Sequence, residues 1–139
     1  MKVQIVRKDQ EAIVGYEVVK VESPNSLEIS HLVDNSCENI LAADLVDSFN
    51  NEILPQLCKA LVSKLRFNGQ LVLGGTDVRF FAKHLLNGIL SPEEACEIVR
   101  SIHSMSTSDM VRQQLESVNL RVISIHMDGL HYEVKAVRA

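Results

Sequence analysis

The sequence predicts an α/β domain with a mostly parallel sheet that ends in an antiparallel hairpin. Short β-branched and apolar runs dominate its N-terminal part. An amphipathic stretch, with Ile53, Leu57, Leu61 and Leu65 recurring every four residues, lies between two such runs. Strand, helix and strand in that order form the unit of a parallel sheet, because parallel neighbours need a long crossover. Near the C-terminus, Asp128-Gly129 separates two alternating stretches, the strongest short-range hairpin signal.

The elements follow in order. Val3, Ile5 and Val6 predict a first strand. Ile13 to Val21, with Val14, Tyr16, Val18 and Val19 around Gly15, predicts a second. Ser23-Pro24-Asn25-Ser26 is a turn, since Pro presets one dihedral and Asn tolerates the next. A short strand from Leu27 to Ile29 and the polar loop Asp34-Asn35-Ser36 come next, then an apolar run from Ile40 to Ala43 that ends at Asp44. The amphipathic helix tolerates Pro55 in its first turn. It turns Lys59, Lys64 and Arg66 to solvent and ends at Asn68-Gly69. Leu71-Val72-Leu73 reads as a buried strand stopped by Gly74-Gly75.

Three helices are then expected. Asp77 caps the first, which directs Phe80, Phe81, Leu85 and Leu86 toward the core. Ser91-Pro92-Glu93-Glu94 starts the second with a capping box, and Ala95, Ile98, Val99 and Ile102 form its apolar stripe. Ser106 and Asp109 repeat the capping spacing for the third, whose apolar side is Val111, Leu115 and Val118. Leu120 to Ile125 and Tyr132 to Val137 supply the hairpin strands. With no internal repeat or linker, residues 1–139 read as one domain.

Composition narrows the function. Hydrophobic residues make up 46 % of the chain and charged residues 23 %, which is globular rather than disordered. A net charge of -4 and 4 % aromatic residues provide neither a phosphate-attracting surface nor a stacking platform, so there is no strong nucleic-acid signal. No apolar stretch approaches the roughly 20 residues of a membrane span, and the N-terminus does not read as a secretory leader. Cys37, Cys58 and Cys96 form no CxxC or disulfide pattern and are expected as buried thiols in a reducing cytoplasm.

In its motifs the chain resembles the small class I S-adenosylmethionine-dependent methyltransferases, especially the short forms found in phages and beside glycan-modification genes. Glu38 through Phe49 is similar to that family's fourth strand and following loop, where an acidic residue and a few apolar ones precede S-x-V-x-E-H-F. Arg66-Phe67-Asn68-Gly69-Gln70-Leu71 resembles its L-K-P-G-G-x-L turn into a strand. Thr76 through Glu94 resembles its P-D-x-x-x-L-x-x-x-Y-L-x-G-x-I-S-P-E-E segment, and Gly15-Tyr16 its G-Y/W-x-N-x-D. The resemblance implies a Rossmann-like methyltransferase fold of sheet order 3-2-1-4-5-7-6, with a truncated N-terminal half in this chain.

The departures bear on function. The family places a glycine-rich turn after its first strand, where the backbone approaches the cofactor's methionine part. Here Val6-Arg7-Lys8-Asp9 follows, and its side chains are expected to fill that space. The family's ribose-binding acid aligns with Lys20, which has no acceptor, while Glu22 lies two residues further on. Asp47-Ser48 stands where the family often has Glu-His. These changes predict a non-catalytic methyltransferase-like protein with a binding or assembly role, no cofactor and no catalytic residue. The alternative is a divergent transferase that uses S-adenosyl-L-methionine, or a subunit active only with a partner. An open groove beside the first strand would favour that alternative.

Candidate ligand-binding residues are Asp44, Asp47 and Asp77, after strands at the carboxyl edge where open α/β sheets bind ligands. Each can equally cap a helix. His126 and His131 are expected as cross-strand neighbours, without a third group to make a metal site. His31, His84 and His103 are isolated, and Arg7, Lys8 and Lys20 are expected on the rim of the former cofactor edge. Self-association through a helix face or an edge strand, or binding to a protein partner, completes the expectations.

Overall fold

A computed structural model describes residues 1–7 and 10–139. Lys8 and Asp9 lie outside the described residues, and with them that part of the expected filling of the cofactor space and of the basic rim. Six strands form one sheet of order β2-β1-β3-β4-β6-β5. They are β1 (Lys2–Val6), β2 (Glu17–Lys20), β3 (Cys37–Ala42), β4 (Leu65–Thr76), β5 (Leu120–Asp128) and β6 (His131–Arg138). The first four run parallel, and β6 joins β4 and β5 antiparallel. Relative to the expected order, the outermost strand beyond β2 has no counterpart: residues 21–36 contain neither helix nor strand.

Two helices pack on one face. α1 (Leu54–Lys64) buries Leu54, Leu57, Cys58 and Leu61, and α4 (Ser108–Ser117) buries Val111 and Leu115. These side chains meet Val3, Ile5, Ile40, Leu71, Leu73, Val134 and Ala136 from the sheet in one apolar cluster. At about 1.5–3 kcal/mol per fully buried Val or Leu side chain, that cluster is the main source of stability. The opposite face is more polar. Gln4, Leu41, Val72 and Lys135 pair strand to strand in one row across it, and only Gln4 of the four is buried. The Gln4 amide is satisfied by the chain that follows β1, accepting from Ile13 N–H at 2.8 Å and donating to the Glu11 carbonyl at 3.0 Å.

Several expectations are corrected. α1 ends at Lys64, and Leu65 already belongs to β4. Lys64 does not face open solvent: it donates to the Leu32 carbonyl and pairs with Asp34 at 2.6 Å. At the turn inside β4, Asn68 takes the left-handed conformation (φ 62°), and Gly69 is needed because a Cβ would come within 2.8 Å of the Cys37 carbonyl oxygen. Gly74 and Gly75 do not stop β4, which continues through them to Thr76. A Cβ on Gly74 would run into the carbonyl oxygens of Ala43 and Tyr132.

Further along, Leu27–Ile29 is not a strand. α2 (Val78–Leu86) buries none of its residues, contrary to its expected core face, and α3 (Pro92–Ser101) buries only Ala95. The cap of α4 is Thr107, which accepts from Met110 N–H, rather than Ser106. Cys37 and Cys58 are buried, but Cys96 is exposed. Asp128 pairs with His131, so the hairpin turn is Gly129-Leu130 and His126 lies opposite Glu133. The two histidines are therefore not cross-strand partners.

Candidate functional site

The sheet order sets the location of the site. From β1 the chain moves outward to β2, whereas from β3 it moves the other way to β4, so the β1/β3 junction is the topological switch point. Open α/β sheets bind ligands at the carboxyl end of such a junction. Close by lies a cavity of about 350 Å³, with Arg7 from the end of β1, Val21, Glu22 and Pro24 from beyond β2, and Ser48 from the 3-10 turn Leu45–Ser48 after β3. Ser101 and His103, at the end of α3 and just after it, form the opposite wall.

That wall is a strap of chain, residues 102–107, laid across the sheet edge. The N–H groups of His103 and Ser104 both donate to the Asp47 carbonyl, at 2.7 and 3.2 Å. His103 Nε2 lies 2.5 Å from Asn50 Oδ1. Asn50 in turn donates from its backbone to the Pro24 carbonyl and from its side chain to Asn25, which holds the turn after β2 in place. Further along, Ser106 receives the Tyr132 hydroxyl as a hydrogen-bond partner in a buried contact.

Glu22 reaches the edge through strand register. Val6 pairs with Lys20, and Val21 N–H still donates to the Val6 carbonyl at 3.0 Å, so strand-like pairing continues past Lys20. Glu22 is the first residue beyond it and stands between this cavity and a second one of about 450 Å³ beside β2. Lys20 lines only the second. Arg7 lines the first without closing it, and Val6 is buried. Among the described residues, Val6, Arg7 and Lys20 thus leave a groove beside the end of β1.

Among the described residues, two buried side-chain atoms have no hydrogen-bond partner, Arg7 Nε and Ser48 Oγ. Both residues line this cavity. Buried donors without partners are rare and ask for an explanation such as a ligand or ordered water.

The three predicted carboxylates differ. Asp47 is 1 % exposed, and its two oxygens accept from Thr76, Oδ1 from the N–H at 2.7 Å and Oδ2 from the hydroxyl at 2.6 Å. Burial pushes its carboxyl above the ordinary value, opposed by the Thr76 hydrogen bonds and the charges of His131 and Arg7. Asp77 caps α2 with Oδ1, accepting from the N–H groups of Arg79 and Phe80 at 2.9 and 3.2 Å, while Ser108 N–H reaches Oδ2 at 3.4 Å. Asp44 is less enclosed. Gln10 donates to its Oδ2 at 2.9 Å, and His131 Nδ1 lies 3.6 Å from Oδ1. Gln10 also accepts from Arg7 N–H at 3.0 Å, so one amide ties the end of β1 to the end of β3.

Solved structures of similar shape include S-adenosylmethionine-dependent methyltransferases. One from Archaeoglobus fulgidus superposes with a TM-score of 0.62 at 13 % identity, over 88 % of this chain and 68 % of its own. The chain has a methyltransferase-like fold. It is Rossmann-like, with a mixed sheet and the C-terminal β5–β6 hairpin. A methyltransferase from Aquifex aeolicus matches at 0.57 and 19 % identity, over 91 % of this chain and 56 % of its own. Magnesium protoporphyrin IX methyltransferase from Synechocystis PCC 6803, solved with bound SAH, matches at 0.58 and 11 %, over 88 % and 51 %. The chain thus spans about half to two thirds of the length of these proteins. No family model and no curated protein matches the sequence.

The expectation of no cofactor is corrected by these matches: the scaffold is shared with proteins that depend on S-adenosylmethionine. Sequence reasoning aligned the ribose-facing position with Lys20; β2 ends at Lys20, and Glu22, two residues on, lines both cavities. Ser48 carried a signal only as the residue in place of the family's histidine, and His103 carried none. No group of three or more His, Cys, Asp or Glu side chains among the described residues is placed to hold a metal ion. No helix among them is long and apolar enough to cross a membrane.

Proposed function

We propose that this chain is a divergent S-adenosylmethionine-binding protein of the methyltransferase type, with its cofactor in the cavity at the ends of β1 and β2. The observation that carries this reading is that Arg7 and Ser48, whose buried Nε and Oγ have no partner among the described residues, both line one cavity near the switch point. Glu22 would accept from the ribose hydroxyls, as a carboxylate can take two donors at once. Arg7 would donate to an acceptor on the cofactor, and Ser48 can donate or accept. When bound, the cofactor supplies an activated methyl group. Of the three aspartates, Asp44 is assigned the acceptor-facing position, since it is the more open and has His131 beside it. Asp47 and Asp77 already accept from internal donors.

This reading displaces the non-catalytic scaffold as first choice. A second reading, in which the chain works as a subunit with a partner, draws on its span of about half to two thirds of the similar structures.

Titration calorimetry of the folded protein with S-adenosylmethionine and with S-adenosylhomocysteine tests the proposal. Saturable one-to-one binding that weakens about ten-fold or more in Glu22→Ala supports it, as expected for loss of a charged hydrogen-bond acceptor. Absence of heat at millimolar ligand, from protein shown by circular dichroism to be folded, overturns it.

A further inference from the structure

α1 and α4 pack on one face of the sheet, while α2 buries none of its residues and α3 only Ala95. Among the described residues, no helix covers the other face. Strand register defines that face. The row Gln4, Leu41, Val72, Lys135 ends on Ser124 of β5, and the next row toward the strand starts runs Lys2, Asn39, Gln70, Val137, Arg121. Val6 and Val137, although buried, stand outside the apolar cluster under α1 and α4, as the register requires. The segment through Glu11 and Ile13 already covers Gln4 on β1. What is left runs from β3 to β5, with Leu41 and Val72 half-buried in it. Antiparallel strands can leave a face to water, but parallel ones such as β3 and β4 occur with both faces covered.

Size and charge say what fits. From β3 to β5, strand spacings of about 4.8 Å add to a width of about 14 Å, close to the diameter of one helix with its side chains, roughly 10–12 Å. The two rows carry Lys2, Lys135 and Arg121 and no acidic residue, and none of these cations has an ion-pair partner among the described residues. The rows toward the strand ends carry Glu133 and Asp128 instead. Glu38, beside the irregularity in β3, pairs with Arg66 at 3.4 Å and adds no net charge. The face is therefore positive near the strand starts and negative toward the strand ends. A helix running antiparallel to β3 and β4 matches both halves, with the negative end of its macrodipole over the cations and the positive end over the carboxylates. The two exposed helices of this chain have the wrong polarity for that seat: α3 begins with Glu93 and Glu94 and ends with Arg100, and α2 ends with Lys83 and His84.

We propose that this face receives an amphipathic helix of another polypeptide, antiparallel to β3 and β4. Its apolar stripe packs on Leu41 and Val72, and carboxylates in its last two turns meet Lys135 and Arg121. The proposal rests on the second reading, of the chain as a subunit with a partner, and gives that partner a chemistry. Cofactor binding by the chain alone neither supports nor opposes it.

The test is fluorescence anisotropy with a labelled, side-chain-stapled peptide of about 14 residues, long enough to follow the strands across these rows. One version carries a Leu stripe and Glu in its last two turns, and its control has Lys in place of those Glu. The expected result is saturable binding of the Glu peptide, about ten-fold or more tighter than the Lys peptide, with the preference reversed in Lys135→Glu/Arg121→Glu. Because Lys135 is half-buried, Arg121→Glu alone, at an exposed position, serves as the second variant and is expected to weaken the Glu peptide several-fold. Circular dichroism checks that each variant is folded. Equal affinity for the two peptides, no binding at millimolar concentration, or a preference unchanged in the folded variants overturns the proposal. So does a dimer in sedimentation velocity that Lys135→Glu/Arg121→Glu dissolves, which would give the face to a second copy of this chain.

Discussion

Asp47 and Thr76 close a two-point clamp, in which the carboxylate takes both the N–H and the hydroxyl of the same residue at 2.7 and 2.6 Å. It fastens the turn after β3, which carries Ser48 of the cavity wall, to the end of β4. The clamp is possible because the next residue back is Gly75, where a Cβ would sit 2.8 Å from Asp47 Oδ1.

Because burial raises the Asp47 pKa, the folded state holds this proton more tightly than the unfolded chain does. The group's contribution is then most favourable below its unfolded pKa near 4 and declines as pH rises through the higher folded value. Asp47→Asn removes the charge and keeps an acceptor for the Thr76 N–H. In urea unfolding at pH 7 it is expected to match or exceed the parent by about 1 kcal/mol, with the advantage vanishing toward pH ~4. Asp47→Ala strands both Thr76 donors and is expected to cost about 2–3 kcal/mol. An Asn variant as damaged as the Ala variant at pH 7 would show that the negative charge itself is required.

Tyr132 and Ser106, both buried, share a hydroxyl–hydroxyl contact that joins the strap to β6. Tyr132→Phe leaves the Ser106 hydroxyl without that partner and is expected to lower stability by about 1–2 kcal/mol. Adding Ser106→Ala to Tyr132→Phe should cost little more. A double-mutant cycle with no coupling would contradict the shared bond.

The glycines separate two kinds of demand. Gly74→Ala drives a methyl into two backbone carbonyls and is expected to cost more than about 3 kcal/mol. Gly129→Ala has nothing within 4 Å and faces only a left-handed φ of 62°, so a loss of about 1 kcal/mol is expected. Thermal melts of the two variants check the order, which reverses if the hairpin turn rather than the packing of β4 is the more demanding.

Glu22 and Asp77 test ligand contact against capping. Glu22 is exposed and makes no internal hydrogen bond among the described residues, so Glu22→Gln is expected to change stability by less than about 0.5 kcal/mol while weakening S-adenosylmethionine binding. Asp77→Asn, which still caps α2, is expected to leave binding unchanged, whereas Asp77→Ala costs about 1 kcal/mol of stability. Loss of binding in a folded Asp77→Asn variant would assign Asp77 to the ligand instead.

Much of the fold was legible because local period and local punctuation agree. β1, β3, α1, α4 and the final hairpin follow from apolar spacing, and the Ser91 box and the Asp77 cap follow from chemistry within three residues. What escaped depends on distant chain. An apolar stripe on α2 predicts that a face wants cover, but not whether this chain supplies it. Gly74-Gly75 looks like a strand end, yet the reason for both glycines lies in Ala43, Tyr132 and Asp47. The site was least legible. How far β2 stays paired past Lys20 depends on Val6, and register is a property of two strands together. Arg7 and Ser48 acquire meaning only where the fold leaves their polar atoms buried beside one space.

The strap over the sheet edge also bears on where the molecule opens first. Its anchors are few and lie at the rim: Ser104 Oγ to the Phe49 carbonyl, and Asn51 Nδ2 to the Met105 carbonyl. His103 is exposed and Ser104 half-buried, whereas Leu71 and Leu73 lie in the core, so the strap lifts locally at lower cost than the sheet opens. Amide deuterium uptake is therefore expected to be faster at His103 and Ser104 than at Leu71 and Leu73, and the wall of the cavity becomes the part of the molecule most easily remodelled without unfolding the sheet beneath it.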